Sequence, residues 1–367
     1  MFNYQKRVAD LQALAKERGI DYVVIAPGAN LIYFTGLDQH MSERPMMVIL
    51  PAEGDALVYC PSFEASKNMR VMGINKSITY TDEEGPYETV KRWVKEEQIC
   101  DKAVFAFEYR AARLLEYDVV RQALPECELV DARGLMAELR MCKDSEELSY
   151  MQKAADLSDI MMQAMRDALK PGVKESDVRA AGLAALAEVS PGCQGFMSVA
   201  SGNKASDPHA VGADRVIESG DYVVIDMGAR YQNYPSDITR TFPCGEITDE
   251  MRKIYEVVKQ ANAAGKAAVR PGMTCQEVDR ITRKVIVDAG YGEYFTHRTG
   301  HGLGLEIHEE PYIVEGNETV IREGMVFTVE PGIYLPGVGG VRIEDDVVVT
   351  KDGCYSLTNF HRNLTWS

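Results

Sequence analysis

No stretch of the sequence reaches the roughly 18 apolar residues that a membrane-crossing helix needs. The opening MFNYQKRVADLQALAKERG carries charges every few positions, where a signal peptide would hold an uninterrupted apolar core. Neither export nor membrane insertion is expected, and a cytoplasmic location is. Positive charge is scarce too: 40 Lys and Arg face 56 Asp and Glu, leaving a formal net charge of −16. That balance opposes contact with nucleic-acid phosphates or an anionic lipid surface. The eight cysteines (Cys60, Cys100, Cys127, Cys142, Cys193, Cys244, Cys275 and Cys354) form no CxxC pair and no short-spaced framework, as suits reduced thiols. There is no GxxxxGK[ST] phosphate loop, GxSxG nucleophile elbow or HExxH zinc helix, and the Gly300–Gly304 cluster is not a GxGxxG fingerprint.

What is present is an ordinary globular composition, 46% hydrophobic and 26% charged over 367 residues, long enough for two domains. Up to about residue 140, helical and strand patterns alternate. An amphipathic stretch covers 5–18, apolar runs cover 22–26, 46–50, 56–60 and 103–107, and helical candidates lie near 64–71, 87–97 and 111–122. These predict a small α/β domain over 1–138. A polar break at Lys143-Asp-Ser-Glu-Glu opens a helical pattern from about 145 to 169, stopped by Lys170-Pro171-Gly172, so a second domain is expected over 139–367.

That second part repeats itself. Lys170-Pro171-Gly172, followed by Asp177-Val178, recurs 100 residues on as Arg270-Pro271-Gly272, followed by Glu277-Val278. Gly220-DYVVI-Asp226-Met-Gly228 recurs at an offset of 104 as Gly324-MVFTV-Glu330-Pro-Gly332. Two halves of helix, helix and strand, each delivering an acid at a strand end, imply a pseudo-two-fold α+β domain.

The acids continue the pattern. Asp237 stands eleven positions after Asp226 across turn-rich sequence, and Glu330 leads through a Gly-rich stretch to Val341-Arg342-Ile343-Glu344, so four carboxylates are expected at four strand ends. Desolvated acids held together would take up protons unless a cation joins them; Arg342 compensates one, and a pair of divalent ions compensates them all. Four of the six histidines reinforce this: His209, then His297, His301 and His308 in THRTGHGLGLEIHEEP, where the interleaved glycines let backbone approach a site closely. Carboxylates with one or two imidazoles suit Mn²⁺, Co²⁺ or Fe²⁺ better than structural zinc. Two ions that hold a water as hydroxide point to hydrolysis.

In IDMGA, SDITRTF, HRTGHGLG, TVEPGIY and VRIED the sequence resembles the pita-bread metallopeptidases, the group of methionine aminopeptidase, Xaa-Pro aminopeptidase, prolidase and the metal-free creatinase. The resemblance implies a pita-bread catalytic domain behind a smaller creatinase-like α/β domain. It implies that Asp226 chelates one ion, that Asp237 and Glu344 bridge both, and that His301 and Glu330 complete the second. His209, His297, His308 and Arg342 would surround the reacting peptide, with Glu330 as proton shuttle. Methionine aminopeptidases lack the N-terminal domain and creatinases lose the ligands, which leaves the proline-specific branch: hydrolysis of Xaa-Pro dipeptides, or removal of the N-terminal residue from longer peptides.

Mn²⁺ or Co²⁺ is the expected metal, with Zn²⁺ or Fe²⁺ as further candidates, and a homodimer is implied, its N-terminal domains supplying dimer contacts and substrate restriction. The loop Asp38-Gln-His40-Met-Ser-Glu43-Arg44 would restrict the substrate, although Ser42 stands where some prolidases have His. Arg298, or Arg44 of a neighbouring chain, would meet the free carboxylate of a dipeptide; each equally fits a surface or dimer salt bridge. The fold also has members that lost catalysis and bind partners, but these usually lose ligands.

Overall fold

Residues 2–210 and 214–364 are described by a computed structural model, whose backbone falls into two units, Met1–Arg140 and Met141–Ser367. The first unit begins with α1 (Tyr4–Glu17), capped by Asn3, whose side chain accepts from the Lys6 N–H at 2.9 Å. There follow β1 (Tyr22–Ile25), α2 (Ala29–Thr35), β2 (Met47–Pro51), β3 (Leu57–Pro61), α3 (Ser62–Met72), β4 (Lys76–Tyr80), α4 (Pro86–Glu96), β5 (Val104–Phe107), α5 (Leu114–Ala123), β6 (Glu128–Asp131) and α6 (Arg133–Arg140). The strands form one sheet in the order β4-β3-β2-β1-β5-β6, with β2 antiparallel to both neighbours and the remaining pairs parallel. Its core joins Val24, Ile49, Tyr59, Phe105 and Phe107 of the sheet to Val90 and Trp93 of α4 and Val119 and Val120 of α5.

In the second unit, α7 (Ser145–Ala168) starts where the Asp144 side chain accepts from two backbone N–H groups while the Glu147 side chain accepts from that of Asp144. After α8 (Glu175–Val189) come β7 (Gly195–Ser201), β8 (Asp221–Tyr231), β9 (Tyr234–Pro235) and β10 (Ile238–Cys244). A second pair of helices, α9 (Asp249–Ala268) and α10 (Cys275–Asp288), precedes β11 (Gly300–Gly302), β12 (Glu309–Ile313), β13 (Val326–Val329), β14 (Gly332–Leu335), β15 (Gly339–Arg342), β16 (Asp345–Val349) and β17 (Cys354–Ser356). The sheets run β10-β8-β7 with β9 beside β8, β12-β11-β13-β16-β17, and β14-β15. Met161, Met165 and Val178 pack on Val223, Ile225 and Met227 in one half; Val278 packs on Phe327 and Val329 in the other.

The repeat is visible in hydrogen bonds. Gly172 N–H donates to Ile217 O at 2.8 Å and Gly272 N–H to Ile321 O at 3.0 Å, so both partners obey the offsets seen in the sequence. The isolated bridges Lys174–Val216 and Thr274–Val320 do the same. One expectation changes. Asp226 lies inside β8, paired to Thr239 on one side and Ser198 on the other, and not at a strand end. The strand runs on because Gly228 lets the neighbouring backbone close in: a Cβ there would lie 1.9 Å from Ser236 O. Asp237 immediately precedes β10, Glu330 follows β13, and Glu344 sits between β15 and β16.

Candidate metal centre

These strands surround a cavity of about 400 Å³ lined by Pro208, His209, Asp226, Asp237, His297, Arg298, His301, His308, Glu330, Arg342 and Glu344. Every site residue expected from the sequence is there except Arg44. That residue lies in the first unit, where its guanidinium pairs with Asp82 at 2.8 and 2.9 Å and with Glu43.

Ligand-type atoms of Asp237, His301 and Glu344, all buried, lie within 4.8 Å of one another. His301 Nε2 stands 3.2 Å from Glu330 Oε1 and 3.8 Å from Asp237 Oδ2. Its Nδ1 faces the Gly302 carbonyl at 3.2 Å, which places the ring proton on Nδ1 and aims the Nε2 lone pair at the acids. Burial, reinforced by His308, lowers the His301 pKa to about 3, so the ring is neutral. The His301 and His308 rings meet edge-on at 4.2 Å.

The acids show the strain expected of carboxylates gathered without a cation. Burial, then Glu344, Asp226, Asp346 and Glu330, push the Asp237 carboxyl well above its usual range. Burial, then Glu330 and Asp226, do the same to Glu344, and burial raises Glu330 to about 7. Asp237 Oδ1 is buried with no hydrogen-bond partner among the described residues. A neutral imidazole, an orphaned carboxylate oxygen and mutually repelling acids are together the donor set a divalent cation needs, and the residues fit one.

Residues that the sequence did not single out hold this set in place. Thr239 Oγ1 donates to Glu344 Oε2 at 2.6 Å and accepts from Arg342 Nε at 3.1 Å, while Arg342 Nη2 donates to Asp226 Oδ2 at 2.7 Å. Thr328 Oγ1 donates to Glu330 Oε1 at 3.1 Å and accepts from the His301 N–H at 3.1 Å. Asn262 of α9 donates to the carbonyls of Val329 and Ile343, each one residue before an acid, at 2.8 and 3.3 Å. Tyr334 carries a relay. Its hydroxyl accepts from Arg342 Nη1 at 3.0 Å and meets His297 Nε2 at 2.8 Å, while His297 Nδ1 faces Arg298 O at 2.7 Å. With the ring neutral, its pKa lowered by burial and Arg342 to about 4, Nδ1 donates and Tyr334 donates to Nε2. Tyr334, Thr239 and Thr328 lie on apolar strands, where such side chains read as core; their partners emerge only in the folded chain. Arg298 lies over the Tyr312 ring at 4.5 Å, and His209 is exposed on the rim.

Comparison with known proteins finds that residues 149–351 match the model of Metallopeptidase family M24. The chain belongs to metallopeptidase family M24. In this M24 chain residues 7–142 match the Creatinase/Prolidase N-terminal domain, and the expected fold, a pita-bread α+β domain behind a creatinase-like α/β domain, is the fold observed. An Xaa-Pro dipeptidase of Lactobacillus delbrueckii subsp. lactis is 34% identical over 96% of this chain and 97% of that one. The solved prolidase from Thermococcus sibiricus superposes with a TM-score of 0.92 at 34% identity, covering 99% of both chains. An X-Pro aminopeptidase from Thermotoga maritima superposes with a TM-score of 0.83 at 30% identity, again over 99% of both. No helix among the described residues is long and apolar enough to cross a membrane.

Proposed function

We propose that this chain is an Xaa-Pro dipeptidase, hydrolysing the bond before proline with two divalent ions, Mn²⁺ or Co²⁺. The observation that carries the reading is the buried convergence of Asp237, His301 and Glu344, with Asp226 and Glu330 lining the same cavity. Asp226 would hold one ion, Asp237 and Glu344 both, and His301 and Glu330 the other. Bound there, the ions supply an activated water and offset the negative charge that develops on the scissile carbonyl.

The side chains do the rest. Glu330, on the cavity wall, accepts a proton from the attacking water and passes it to the departing prolyl nitrogen. His209 and His308 orient the carbonyl and donate to the oxyanion. His297 has both ring nitrogens engaged, so it orders Tyr334 and, through it, Arg342.

An Xaa-Pro bond is a tertiary amide without an N–H, so it is recognised by a pocket shaped for the ring and not by backbone hydrogen bonds. Arg298, on the cavity wall, meets the free carboxylate of a dipeptide; Arg44 of the neighbouring chain in a homodimer is the other candidate. The formal net charge of −16 supports an enzyme that works without nucleic-acid or membrane partners, and a cytoplasmic setting is part of the same proposal. A second reading, Xaa-Pro aminopeptidase activity on longer peptides, is favoured by the likeness to the Thermotoga maritima enzyme.

Metal-stripped protein, reconstituted with Mn²⁺, is tested on Ala-Pro and Ala-Pro-Ala. Cleavage of the dipeptide alone is expected. Cleavage of the tripeptide moves the assignment to aminopeptidase, and cleavage of neither rejects the proline-specific reading.

A further inference from the structure

Behind the strands that carry the acids lies a second cluster of charge, in which Arg240 and Asp345 are fully buried while Lys266 and Arg362 are partly exposed. Successive side chains of a strand point to opposite faces, and on β10 Thr239 and Thr241 turn toward Glu344 and Arg342 while Arg240 turns away. Arg240 is 0% exposed, and its whole fork is used. Nη1 donates to the carbonyls of Glu344 at 2.5 Å and Thr239 at 2.9 Å; Nη2 donates to Asp345 Oδ1 at 2.8 Å; Nε and Nη2 donate to the Phe360 carbonyl at 3.1 and 2.7 Å.

Asp345 also receives Lys266 Nζ at 2.6 Å and Arg362, through Nε at 2.7 Å and through Nη2. Three cations thus enclose one carboxylate. The segment that brings Phe360 and Arg362 is held from its other side by Asp159, which accepts the N–H groups of Asn359 and Phe360 at 3.0 and 3.1 Å. Stability alone is a poor account of such a cluster, since buried ion pairs are often replaceable by apolar side chains without loss. Its geometry is informative: the Glu344 N–H donates to Thr239 O at 3.1 Å and the Glu344 carbonyl accepts from Arg240, so both backbone groups of this acid are tied to two adjacent residues of β10.

We infer that Arg240, set by Asp345 and by the C-terminal segment through Phe360 and Arg362, is a positioning residue that fixes the Glu344 backbone so that its carboxylate is presented to the metal ions. The inference rests on the reading of Glu344 as a metal ligand. It makes the C-terminal segment, which contributes no residue to the cavity, part of the apparatus that sets metal affinity.

The test uses the full chain with Arg240→Lys, which keeps the charge but cannot bridge Glu344 and Phe360 together, and Arg362→Gln, which leaves Asp345 paired with Arg240 and Lys266. Co²⁺ dissociation constants are measured by calorimetry, with the visible spectrum of the Co²⁺-loaded protein as reporter of ligand geometry. Both variants should bind Co²⁺ more weakly by a factor on the order of 10 to 100 and shift the Co²⁺ bands, and Arg362→Lys should restore binding toward the parent value. Val90→Ala, in the core of the first unit, supplies a destabilised control whose affinity and spectrum should match the parent.

Folded variants with the parent's affinity and spectrum would overturn the inference while leaving the metal reading intact. Should Arg240→Lys not fold, Arg362→Gln decides by the same two readouts. An unsubstituted chain that takes up no Co²⁺ would overturn the metal reading and this inference with it.

Discussion

Lowering the pH should drive ions from this site steeply, because the ions and protons compete for the same oxygens. Without a cation, Asp237 and Glu344 sit well above the usual carboxylate range, and Glu330 titrates at about 7 against an ordinary 4.5, in each case chiefly through burial. His301, lowered to about 3, has no proton to give up. At about pH 6, therefore, Glu330 alone releases close to one proton on metal binding, and the other two acids raise the total to at most about three. Each released proton makes the apparent affinity fall about tenfold, or about 1.4 kcal/mol, per pH unit. The stability of the metal-free protein carries the matching sign. A raised carboxyl contributes most below its unfolded value, here 4.5, and that contribution is lost as the pH climbs through 7. His297 and His301 act oppositely, destabilising the fold as the pH falls below their free value of 6.5. The metal-induced rise in Tm should thus grow between about pH 6 and 8 as the acids ionise. Calorimetric Mn²⁺ titrations in two buffers of different ionisation enthalpy count the protons directly. Equal enthalpies in both buffers, with an affinity flat below about pH 7, would refute the reasoning.

Asp237→Ala removes a buried acid from among like charges, so the metal-free variant should melt no lower than the parent while losing the metal-induced rise in Tm and the hydrolysis of Ala-Pro; a retained rise would take Asp237 out of the ligand set. Tyr334→Phe keeps the volume but deletes the hydroxyl between Arg342 and His297, a loss of about 1–3 kcal/mol expected to lower kcat about tenfold or more in steady-state assays with Ala-Pro; an unchanged kcat would detach the relay from catalysis. Gly300→Ala would put a Cβ 1.9 Å from the Thr328 carbonyl, forcing β11 away from β13 and displacing His301. A fall in stability of at least about 1–3 kcal/mol in urea unfolding, together with weakened metal uptake, is expected, and parent-like values of both would contradict the close approach.

How much of this was legible beforehand depends on what kind of interaction fixed each part. The apolar runs at 22–26, 46–50, 56–60 and 103–107 became β1, β2, β3 and β5 because central strands bury both faces and advertise it in composition. The edge strands β4 and β6, KSITY and ELVD, were invisible because each pairs on one side only and stays partly exposed. Short α2 and α6 carried too few turns for a period to show. At the site, acids and histidines could be named because polar residues in apolar surroundings are conspicuous. Tyr334, Thr239 and Asn262 could not, since an amphipathic side chain on a buried strand or helix declares nothing about where its polar atom ends.

The two offsets explain why the site was more legible than the fold around it. A duplicated helix, helix and strand places one acid at equivalent positions of each half, and the strand that pairs with each brings a second, so Asp226 with Asp237 and Glu330 with Glu344 follow one rule. That rule predicts clustering without predicting contacts, because register decides which atoms meet. Asp226 proved to lie inside β8, opposite Thr239, and two residues on Gly228 leaves room for the chain at Ser236 to close in. The symmetry is broken where the chemistry is: the histidines that line the cavity after the repeat, His297, His301 and His308, belong to the second half, while the first contributes only His209 from an exposed position. Two like sets of acids joined by one buried imidazole form a cavity with two unequal ends, and a peptide bond, with a carbonyl to polarise and an amine to protonate, calls for such inequality.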